Sequence, residues 1–327
     1  MPALTELLSS ARVVSLPLRT RFRGVVDREV MLFEGPNGWA EWSPFLEYSD
    51  EEAAVWLAAA IEFAYGDLPE LRREGIPVNA TLPAVTPDQV EKVLARFGAF
   101  STVKIKVAEK GQDLNDDLQR IWAVRASYPD ARIRLDANGG YSVEQAIVIA
   151  GAMVENGVPL DYLEQPVATI AEMADLRSRF AKSKINVKIA ADESVRRVSD
   201  PMAVVQAQAA DILVLKAAPL GGIARALAIA QDAGLPVVIS SALESSVGLS
   251  MGAHLAAALP DLEFDCGLAT ASLLAGDVTR EPLIPVDGLI EVRRVAVDEQ
   301  KLDLFEAEDH RIDWWIDRLD RAFTHLN

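Results

Sequence analysis

The sequence has little of the two residue types that most often hold zinc, with one cysteine and three histidines among 327 residues. The lone Cys266 cannot form an intrachain disulfide or a cysteine-based metal site, and we expect it to be a small buried residue. His254, His310 and His325 lie at the end of no predicted strand. A zinc site is therefore disfavoured, and any divalent metal should be held by oxygen ligands.

Positive charge is also scarce, because 32 lysines and arginines stand against 49 acidic residues, for a net charge of -17. This balance argues against nucleic acid and membrane surfaces as partners, since both are anionic. The sequence lacks an apolar run of about 18 residues that could span a membrane, and residues 1–14 lack the features of a signal peptide. We therefore expect a cytoplasmic protein that acts on a small molecule. Its oligomeric state is left open and is compatible with a monomer.

What the sequence does contain is one repeated pattern, a short apolar run, a turn and an Ala- and Leu-rich stretch with helical spacing. The predicted strands are Val78–Leu82, Thr102–Val107, Arg132–Asp136, Asp161–Glu164, Lys188–Asp192, Asp211–Lys216, Pro236–Ser241 and Phe264–Leu268. Eight such βα units close most simply into a (β/α)8 barrel of the α/β class. An open doubly wound sheet is the alternative, but no Gly-x-Gly-x-x-Gly follows the first strand.

The two ends of the chain do not follow this repeat. The elements predicted there are strands Arg12–Pro17 and Gly24–Phe33, a helix Asp50–Ala64 capped by Asp50, a strand Leu289–Val297 and a helix Asp298–Leu319. Neither end alone has enough apolar surface to fold by itself. We therefore predict that residues 1–77 and 289–327 together form one α+β capping domain on a barrel of residues 78–288.

The last inward-facing residue is ionisable in five consecutive predicted strands: Lys106, Asp136, Glu164, Asp192 and Lys216. Each alone has a structural explanation, such as a turn or a helix cap. Chance does not readily put five ionisable residues at equivalent strand positions. Active-site residues of such barrels lie at the carboxyl ends of the strands, so a shared chemical role is the better explanation. Strands two and six lie opposite each other in an eight-stranded ring. Lys106 and Lys216 are therefore expected to face each other, with three carboxylates along one wall.

The three acids, Asp136, Glu164 and Asp192, predict a metal site. Anions that converge in a partly desolvated mouth repel each other unless a cation is present. Oxygen-only ligands select a hard ion, and three carboxylates leave room for water and substrate in an octahedral Mg²⁺ shell. We therefore predict Mg²⁺ as the cofactor, for which Mn²⁺ can substitute.

The two lysines on the second strand predict a base. Lys104 lies two residues from Lys106 on the same face, and neighbouring positive charge disfavours the ammonium form of Lys106. A divalent ion that binds a substrate carboxylate would stabilise the enediolate formed on loss of the α-proton. The predicted chemistry is proton abstraction α to a carboxylate.

The motifs together resemble the enolase superfamily, in particular its muconate lactonizing group. They are Lys-x-Lys at residues 104–106, Asp-Ala-Asn at 136–138, Glu-Gln-Pro at 164–166, Asp-Glu-Ser at 192–194 and a lysine at 216. The resemblance covers nearly the whole chain. It implies metal ligation by Asp136, Glu164 and Asp192, with Lys106 and Lys216 on opposite faces of the substrate.

Three further stretches narrow the resemblance to the o-succinylbenzoate synthase family. They are GWAEWSPFLEYSDEEA at residues 38–53, SSALESSVGLS at 240–250 and CGLATASLLAGDVT at 266–279. The implied reaction is the Mg²⁺-dependent syn dehydration of 2-succinyl-6-hydroxy-2,4-cyclohexadiene-1-carboxylate, a step of menaquinone synthesis. Lys106 would remove the α-proton and return it to the departing hydroxyl, and Lys216 would stabilise the enediolate as a fixed cation.

Other residues are predicted to contact this small carboxylate substrate. They are Lys104 beside the base, Asn138 of the Asp-Ala-Asn motif, Ser240, Ser241 and Glu244 after the seventh strand, and Phe22 and Arg23 in a lid loop. Glu244 has the alternative of pairing with a neighbouring lysine.

Three alternative functions are left open by the residues. The same lysine pair would support an N-acylamino acid racemase, as the main or a second activity. A metal-independent Schiff-base lyase would use Lys216 as a nucleophile but would leave the three acids unexplained. A non-catalytic barrel would bind metal only for structure.

Overall fold

The computed structural model describes residues 1–22, 24–196 and 200–326. The helices are α1 (Leu4–Ser10), α2 (Asp50–Tyr65), α3 (Val90–Leu94), α4 (Leu114–Ser127), α5 (Val143–Glu155), α6 (Ile170–Ser183), α7 (Glu193–Arg196), α8 (Ala203–Gln206), α9 (Ala217–Leu220), α10 (Ile223–Ala233), α11 (Ser246–Ala258), α12 (Glu299–Leu304) and α13 (Asp309–Phe323), with 3₁₀ turns at Pro87–Gln89, Ala95–Phe97 and Thr270–Leu273. The strands are β1 (Arg12–Phe22), β2 (Val25–Gly35), β3 (Gly38–Trp42), β4 (Gly75–Pro77), β5 (Ala80–Leu82), β6 (Thr102–Lys106), β7 (Arg132–Asp136), β8 (Leu160–Glu164), β9 (Ile189–Ala191), β10 (Ile212–Leu215), β11 (Val237–Ile239) and β12 (Leu289–Glu291).

The centre of the molecule is a parallel sheet of seven strands in the order β11-β10-β9-β8-β7-β6-β5. Neighbours in the sheet are neighbours in the chain, and helices lie between them along the chain, as the repeat of apolar runs and helical stretches predicts. The predicted α/β class is thereby confirmed. Because all seven strands run the same way, their carboxyl ends meet at one edge of the sheet.

The predicted eighth strand, Phe264–Leu268, does not form a continuous strand among the described residues. Cys266 donates its N–H to the Pro77 carbonyl at 2.7 Å, and Gly267 donates to the Ile239 carbonyl at 2.8 Å. These contacts are isolated parallel bridges, one to each side of the seven-stranded sheet. One residue bonds to each neighbour, so no ladder of consecutive pairs can be built.

One face of the parallel sheet carries its own apolar cluster, apart from the main core. Its members are Tyr162, Ala190, Ile212, Val214, Val238 and Phe264. All except Phe264 lie on β8 to β11, where they alternate with residues that pack into the main core. The side chain of Arg134 on β7 is fully buried against this cluster, with its guanidinium carbon 4.9 Å from the centre of the Tyr162 ring.

The N-terminal residues form an antiparallel sheet in the order β1-β2-β3, whose third strand the sequence did not predict. The helix predicted at Asp50–Ala64 is α2, but its cap is Ser49 rather than Asp50. The Ser49 hydroxyl accepts the N–H of Glu52 at 3.2 Å, and the Glu52 carboxylate accepts the N–H of Ser49 at 3.1 Å. This reciprocal capping box explains why the helix begins where it does.

The C-terminal elements contact the N-terminal ones. β12 pairs antiparallel with β4, and the ring of Trp315 on α13 lies edge-on to Trp42 of β3 at 5.3 Å. The single helix predicted at Asp298–Leu319 is divided into α12 and α13, because the residues between them bond to β1. Ser15 donates its N–H to the Phe305 carbonyl at 2.8 Å. Within residues 1–22, 24–196 and 200–326, no helix is both long and apolar enough to cross a membrane.

Candidate active site

The pairing register of the parallel sheet aligns the predicted site residues. Lys106 on β6 lies opposite Asp136 on β7, which lies opposite Glu164 on β8. Asp192 and Lys216 follow the last residues of β9 and β10. All five side chains are buried, with exposed fractions between 0% and 6%. Five charges that are far apart in sequence are thus gathered at one edge of the sheet and removed from most of the solvent.

Lys106 and Lys216, at the two ends of this row of residues, each pair with the neighbouring aspartate. The Lys106 Nζ contacts the Asp136 carboxylate and donates to Asn138 Oδ1 at 2.9 Å. The Lys216 Nζ donates to Asp192 Oδ2 at 2.5 Å. Each of these buried charges therefore has a charge-assisted hydrogen bond to a partner of opposite sign.

Lys104 lies on the same strand as Lys106 but reaches a different acid. Its Nζ is 3.2 and 3.3 Å from the two oxygens of Glu164, 3.4 Å from Ser240 Oγ and 3.6 Å from Asp136 Oδ2. Burial would lower the pKa of Lys104, but Glu164 and Asp136 outweigh it and raise the pKa above its usual range. Lys104 is thus a fixed cation at the base of the cluster.

The three acids differ in how fully their charge is compensated. Burial, with the neighbouring Asp136 carboxylate, raises the pKa of Glu164 to about 7. Burial acts in the same direction on Asp136 and Asp192, but cations outweigh it. Lys106 holds the pKa of Asp136 below its usual range, and Arg196 does the same for Asp192. Glu164 is therefore the acid that an additional positive charge would stabilise most.

The donor chemistry of this cluster fits a hard divalent cation. Three carboxylates end adjacent strands, and the single positive centre of the Lys104 Nζ already lies 3.2 Å from Glu164 and 3.6 Å from Asp136. Within the described part of the chain, no group of three His, Cys, Asp or Glu side chains is arranged to hold a metal ion. Asp136 and Asp192 instead contact lysines. Metal uptake would therefore require these lysine contacts to loosen.

A small cavity lies above the cluster. It is lined by Phe22, Val25, Phe45, Thr81, Lys104, Lys106, Asp136, Lys216, Ser240, Ser241, Ala242, Leu243, Gly267 and Thr270. Its volume of about 30 Å³ has room for one or two water molecules. Phe22, Val25 and Phe45 come from the N-terminal region, and the ring of Phe22 lies 5.2 Å from Lys106 Nζ. A ring-sized ligand could enter only if these residues moved outward.

The predicted substrate contacts are distributed unevenly around this cavity. Those in its wall are Phe22, Lys104, Ser240 and Ser241. Asn138 lies beside it, in contact with Lys106. Glu244 is absent from the wall formed by the described residues, since its carboxylate accepts the N–H of Ala242 at 2.6 Å. Arg23 lies outside the described residues.

Arg196 is a member of the cluster that the sequence reasoning missed. Its Nε donates to Asp192 Oδ1 at 2.9 Å, one Nη donates to Glu193 Oε1 at 2.7 Å and the other donates to the Tyr48 hydroxyl at 2.7 Å. The position four residues after Asp192, one helical turn along α7, was a signal that could have revealed the first contact. Tyr48 belongs to the N-terminal region, so Arg196 also connects that region to the cluster.

A second buried acidic group joins β3 to the start of α11. Glu41 accepts hydrogen bonds from Ser43 Oγ at 2.5 Å, from the Ser245 N–H at 2.9 Å and from the Gly248 N–H at 3.3 Å. Burial and the neighbouring Glu244 carboxylate raise the pKa of Glu41 to about 7. A carboxyl group that takes up a proton near neutral pH thus links the N-terminal sheet to a helix of the repeat.

Two protein-family models match the chain. The family described as Enolase C-terminal domain-like matches residues 86–296, and the one described as Enolase N-terminal domain-like matches residues 13–64. The first match includes the five strand-end residues, and the second includes β2, β3 and most of β1 and α2.

Full-length relatives carry one shared description. The o-succinylbenzoate synthase of Mycobacterium leprae is 52% identical over 326 residues, which are 100% of this chain and 95% of the relative. That of Mycobacterium ulcerans is 53% identical over 323 residues, 99% of this chain and 96% of the relative. That of Mycobacterium tuberculosis (strain H37Rv) is 51% identical over 326 residues, 100% of this chain and 97% of the relative.

Solved structures support the fold. A muconate lactonizing enzyme from Pseudomonas putida superposes with a TM-score of 0.73 at 22% identity, covering 91% of this chain and 98% of that one. A 2-chloromuconate cycloisomerase from Rhodococcus opacus superposes with a TM-score of 0.76 at 24% identity, with the same coverage. At these identities the likeness concerns the fold alone.

Proposed function

The chain belongs to the enolase superfamily, and from that premise we propose that it catalyses the reaction of o-succinylbenzoate synthases. It is an enzyme of the lyase class, which dehydrates 2-succinyl-6-hydroxy-2,4-cyclohexadiene-1-carboxylate to 2-succinylbenzoate in menaquinone synthesis. The observation that carries this proposal is that Lys106 and Lys216 line one cavity, each paired with a strand-end carboxylate. Relatives that are 51–53% identical over nearly the whole chain support the same reaction.

The finer architecture is part of the proposal. We propose that residues 264–268 act as the eighth element of a closed (β/α)8 barrel, since they bridge to both sides of the seven-stranded sheet. We further propose that residues 1–77 and 289–327 form one capping domain over residues 78–288. The pairing of β12 with β4 and the contact of Trp315 with Trp42 support it.

The proposed cofactor is Mg²⁺, held by Asp136, Glu164 and Asp192. When bound, the ion would neutralise negative charge that develops on the substrate carboxylate during proton removal. Lys104 lies close to Asp136 and Glu164. It would remain there as a fixed cation that faces the substrate carboxylate. Mn²⁺ offers the same preference for oxygen ligands.

The two lysines divide the chemistry in this proposal. Asp136 would hold the cation, and Lys106 would then lose its ion pair with Asp136, which favours the neutral amine that acts as the base. Lys106 removes the α-proton of the ring and, as an ammonium, passes that proton to the departing hydroxyl, which leaves as water. Lys216 stays protonated on the other face and stabilises the negative charge of the intermediate.

The cavity wall offers the remaining contacts to the substrate. Ser240 and Ser241 present hydroxyls, Phe22 presents an aromatic ring, and Asn138 orients Lys106 through the 2.9 Å hydrogen bond. Exclusion of water by Phe22 would strengthen the electrostatic interactions within the mouth. The net charge of -17 supports a small-molecule partner rather than nucleic acid, and we propose a cytoplasmic enzyme for which a monomer suffices.

The test is an absorbance assay of the purified chain with this cyclohexadiene substrate, with Mg²⁺ and after treatment with EDTA. We expect dehydration that stops when the metal is removed and returns when Mg²⁺ is added. The same preparation is assayed for racemisation of an N-acylamino acid. A specificity constant for racemisation above that for dehydration would overturn the proposal, and activity that survives EDTA with borohydride-trappable substrate would favour the Schiff-base lyase.

A further inference from the structure

A second cleft lies next to the active-site cavity, on the other side of the 3₁₀ turn Thr270–Leu273. Thr270 lines the cavity, whereas Ser272 lines the cleft. The polar side chains that line this cleft, called the basic cleft below, are Arg19, Arg96, Ser272, Asp277, Thr279, Arg280 and Lys301. Its volume of about 620 Å³ is in the range of a small-molecule site.

Three of the cations in the basic cleft have no acidic partner within 4.0 Å among the described residues. The Arg19 Nε–H donates to the Leu274 carbonyl at 2.9 Å, and the Arg96 Nη1 donates to Thr20 Oγ1 at 2.9 Å. Each arginine thus uses one N–H in a hydrogen bond to an uncharged oxygen. Lys301 also forms no ion pair there. Burial and the positive charge of Arg19 lower the pKa of Arg96. Arg19 and Arg96 thus lie close together without an ion-pair partner among the described residues, in a chain whose net charge is -17.

The acids near the basic cleft are engaged elsewhere. Asp298 pairs with Arg280. Asp277 lines the cleft, but its carboxylate accepts hydrogen bonds from the Ser246 hydroxyl at 2.6 Å and from the Val278 N–H at 2.8 Å. The positive charge of Lys301 acts on Asp277, but neither acid forms an ion pair with Arg19, Arg96 or Lys301 in the described part of the chain.

Ser272 gives an independent indication of a ligand. It is only 6% exposed, and its hydroxyl oxygen has no hydrogen-bond partner among the described residues. A buried hydroxyl without a partner costs free energy comparable to a lost hydrogen bond, so most are satisfied. A bound oxyanion would provide the acceptor that this donor lacks.

We propose that the basic cleft binds a small molecule that carries two or more negative charges on carboxylate or phosphate oxygens. Such a ligand would satisfy the free N–H groups of Arg19 and Arg96, the ammonium of Lys301 and the hydroxyl of Ser272. Guanidinium groups pair with both kinds of oxyanion through two parallel hydrogen bonds.

The basic cleft is also connected to the active-site mouth. Arg19 and Thr20 lie on β1, whose last residue, Phe22, packs 5.2 Å from Lys106 Nζ. An anion that bridged Arg19 to Arg96 would hold this end of β1 in place. This effect of the anion on β1 rests on the proposed function. It predicts that anion binding changes the KM for the substrate with little change in kcat.

The test is calorimetric titration of the full-length, metal-free chain with inorganic phosphate and, separately, with succinate. We expect saturable binding of at least one, weakened roughly tenfold or more in the double variant Arg19→Gln/Arg96→Gln. The control is Arg12→Gln, on the same strand, because Arg12 pairs with Glu299, Asp303 and Glu306 instead of lining the cleft. Comparison of the two anions distinguishes a phosphate from a carboxylate ligand.

A second variant, Lys301→Gln, covers the case in which the double variant does not fold, since Lys301 makes no ion pair in the described chain. It should also weaken binding, whereas Arg12→Gln should not. Absence of saturable binding to wild type, or equal affinities in wild type and the folded cleft variants, would overturn the proposal. Because binding is read without metal or substrate, failure of the dehydration assay would leave this result interpretable.

Discussion

Two buried charges lie only two residues apart on β7, Arg134 and Asp136, in very different surroundings. Arg134 is 0% exposed and donates to Asn79 Oδ1 at 3.0 Å, to Asp161 Oδ2 at 3.1 Å and to the carbonyl of Asp265 at 2.5 Å. Short side chains and a backbone group fix it in place. Asp136 is 1% exposed and pairs instead with the ends of long lysine side chains.

The difference separates a charge that holds the fold from charges that can change partners. The guanidinium of Arg134 lies against the rings of Tyr162 and Phe264, with its carbon 4.9 and 5.7 Å from their centres, deep in the sheet. The lysines at the strand ends have four-carbon stems and can withdraw when another cation arrives. We call the strand-end residues such as Lys106 and Asp136 the mouth, and Arg134 with its partners the deeper layer. We therefore expect substitutions at the mouth to affect chemistry, and substitutions in the deeper layer to affect stability.

The largest effect is expected at the mouth. Lys106→Ala and Lys216→Ala should each lower kcat for dehydration by roughly 10³-fold or more, because each removes a group that transfers a proton or stabilises charge in the transition state. Thermal unfolding should show that both variants remain folded. Lys188→Ala is the control, since this lysine is half exposed and lies at the start of the strand region. Undiminished turnover in Lys106→Ala would exclude it as the base.

The deeper layer should respond in the opposite way. Arg134→Met leaves Asp161 and Asn79 without their cationic partner, and we expect a loss of about 3–5 kcal/mol in the free energy of unfolding. Urea denaturation measures this loss. Arg132→Met provides the control, because its partly exposed ion pair with Asp265 should contribute less than about 1 kcal/mol. Equal losses of unfolding free energy in the two variants would contradict the assignment of Arg134 to the deeper layer.

A smaller effect is expected at Glu41, which links β3 to the start of α11 and belongs to neither region. Burial raises the pKa of Glu41 to about 7 from 4.5, so the folded chain keeps a proton that the unfolded chain has lost between these values. The free energy of unfolding should therefore fall as the pH rises through this window, by on the order of 3 kcal/mol. Glu41→Gln should remove that part of the pH dependence.

Denaturation at several pH values measures the Glu41 effect as a difference between variant and wild type. Glu34→Gln serves as the matched control, because Glu34 is exposed on the adjacent strand β2. A pH dependence in Glu41→Gln that equals that of the wild type would show that this carboxyl group does not change its protonation on unfolding.

The sequence contained enough to predict the parallel strands and the charges at their ends. Alternating apolar positions and regular spacing are local signals, and Lys106, Asp136 and Glu164 each follow directly from a strand boundary. The same signals could not show which atoms pair. That Lys104 reaches Glu164 while Lys106 reaches Asp136 depends on the pairing register of β6, β7 and β8.

Features that depend on contacts distant in sequence were missed or misplaced. The helix predicted at Asp298–Leu319 is interrupted because its middle bonds to β1, almost the whole chain away. The predicted strand Phe264–Leu268 has the right composition, but only one of its residues bonds to each neighbour. Arg196 joins Asp192 to Tyr48, and no local pattern indicates the second of these contacts.

The most direct test of the distinction between mouth and deeper layer is Mg²⁺ binding to two variants of one strand, β8. Glu164 ends this strand and Asp161 lies near its start. Calorimetry should show saturable Mg²⁺ binding to the wild type, at least roughly tenfold weaker binding to Glu164→Gln, and unchanged binding to Asp161→Asn. Equal Mg²⁺ affinity in all three proteins, or no binding by the wild type, would contradict the proposal that the strand-end acids hold the metal.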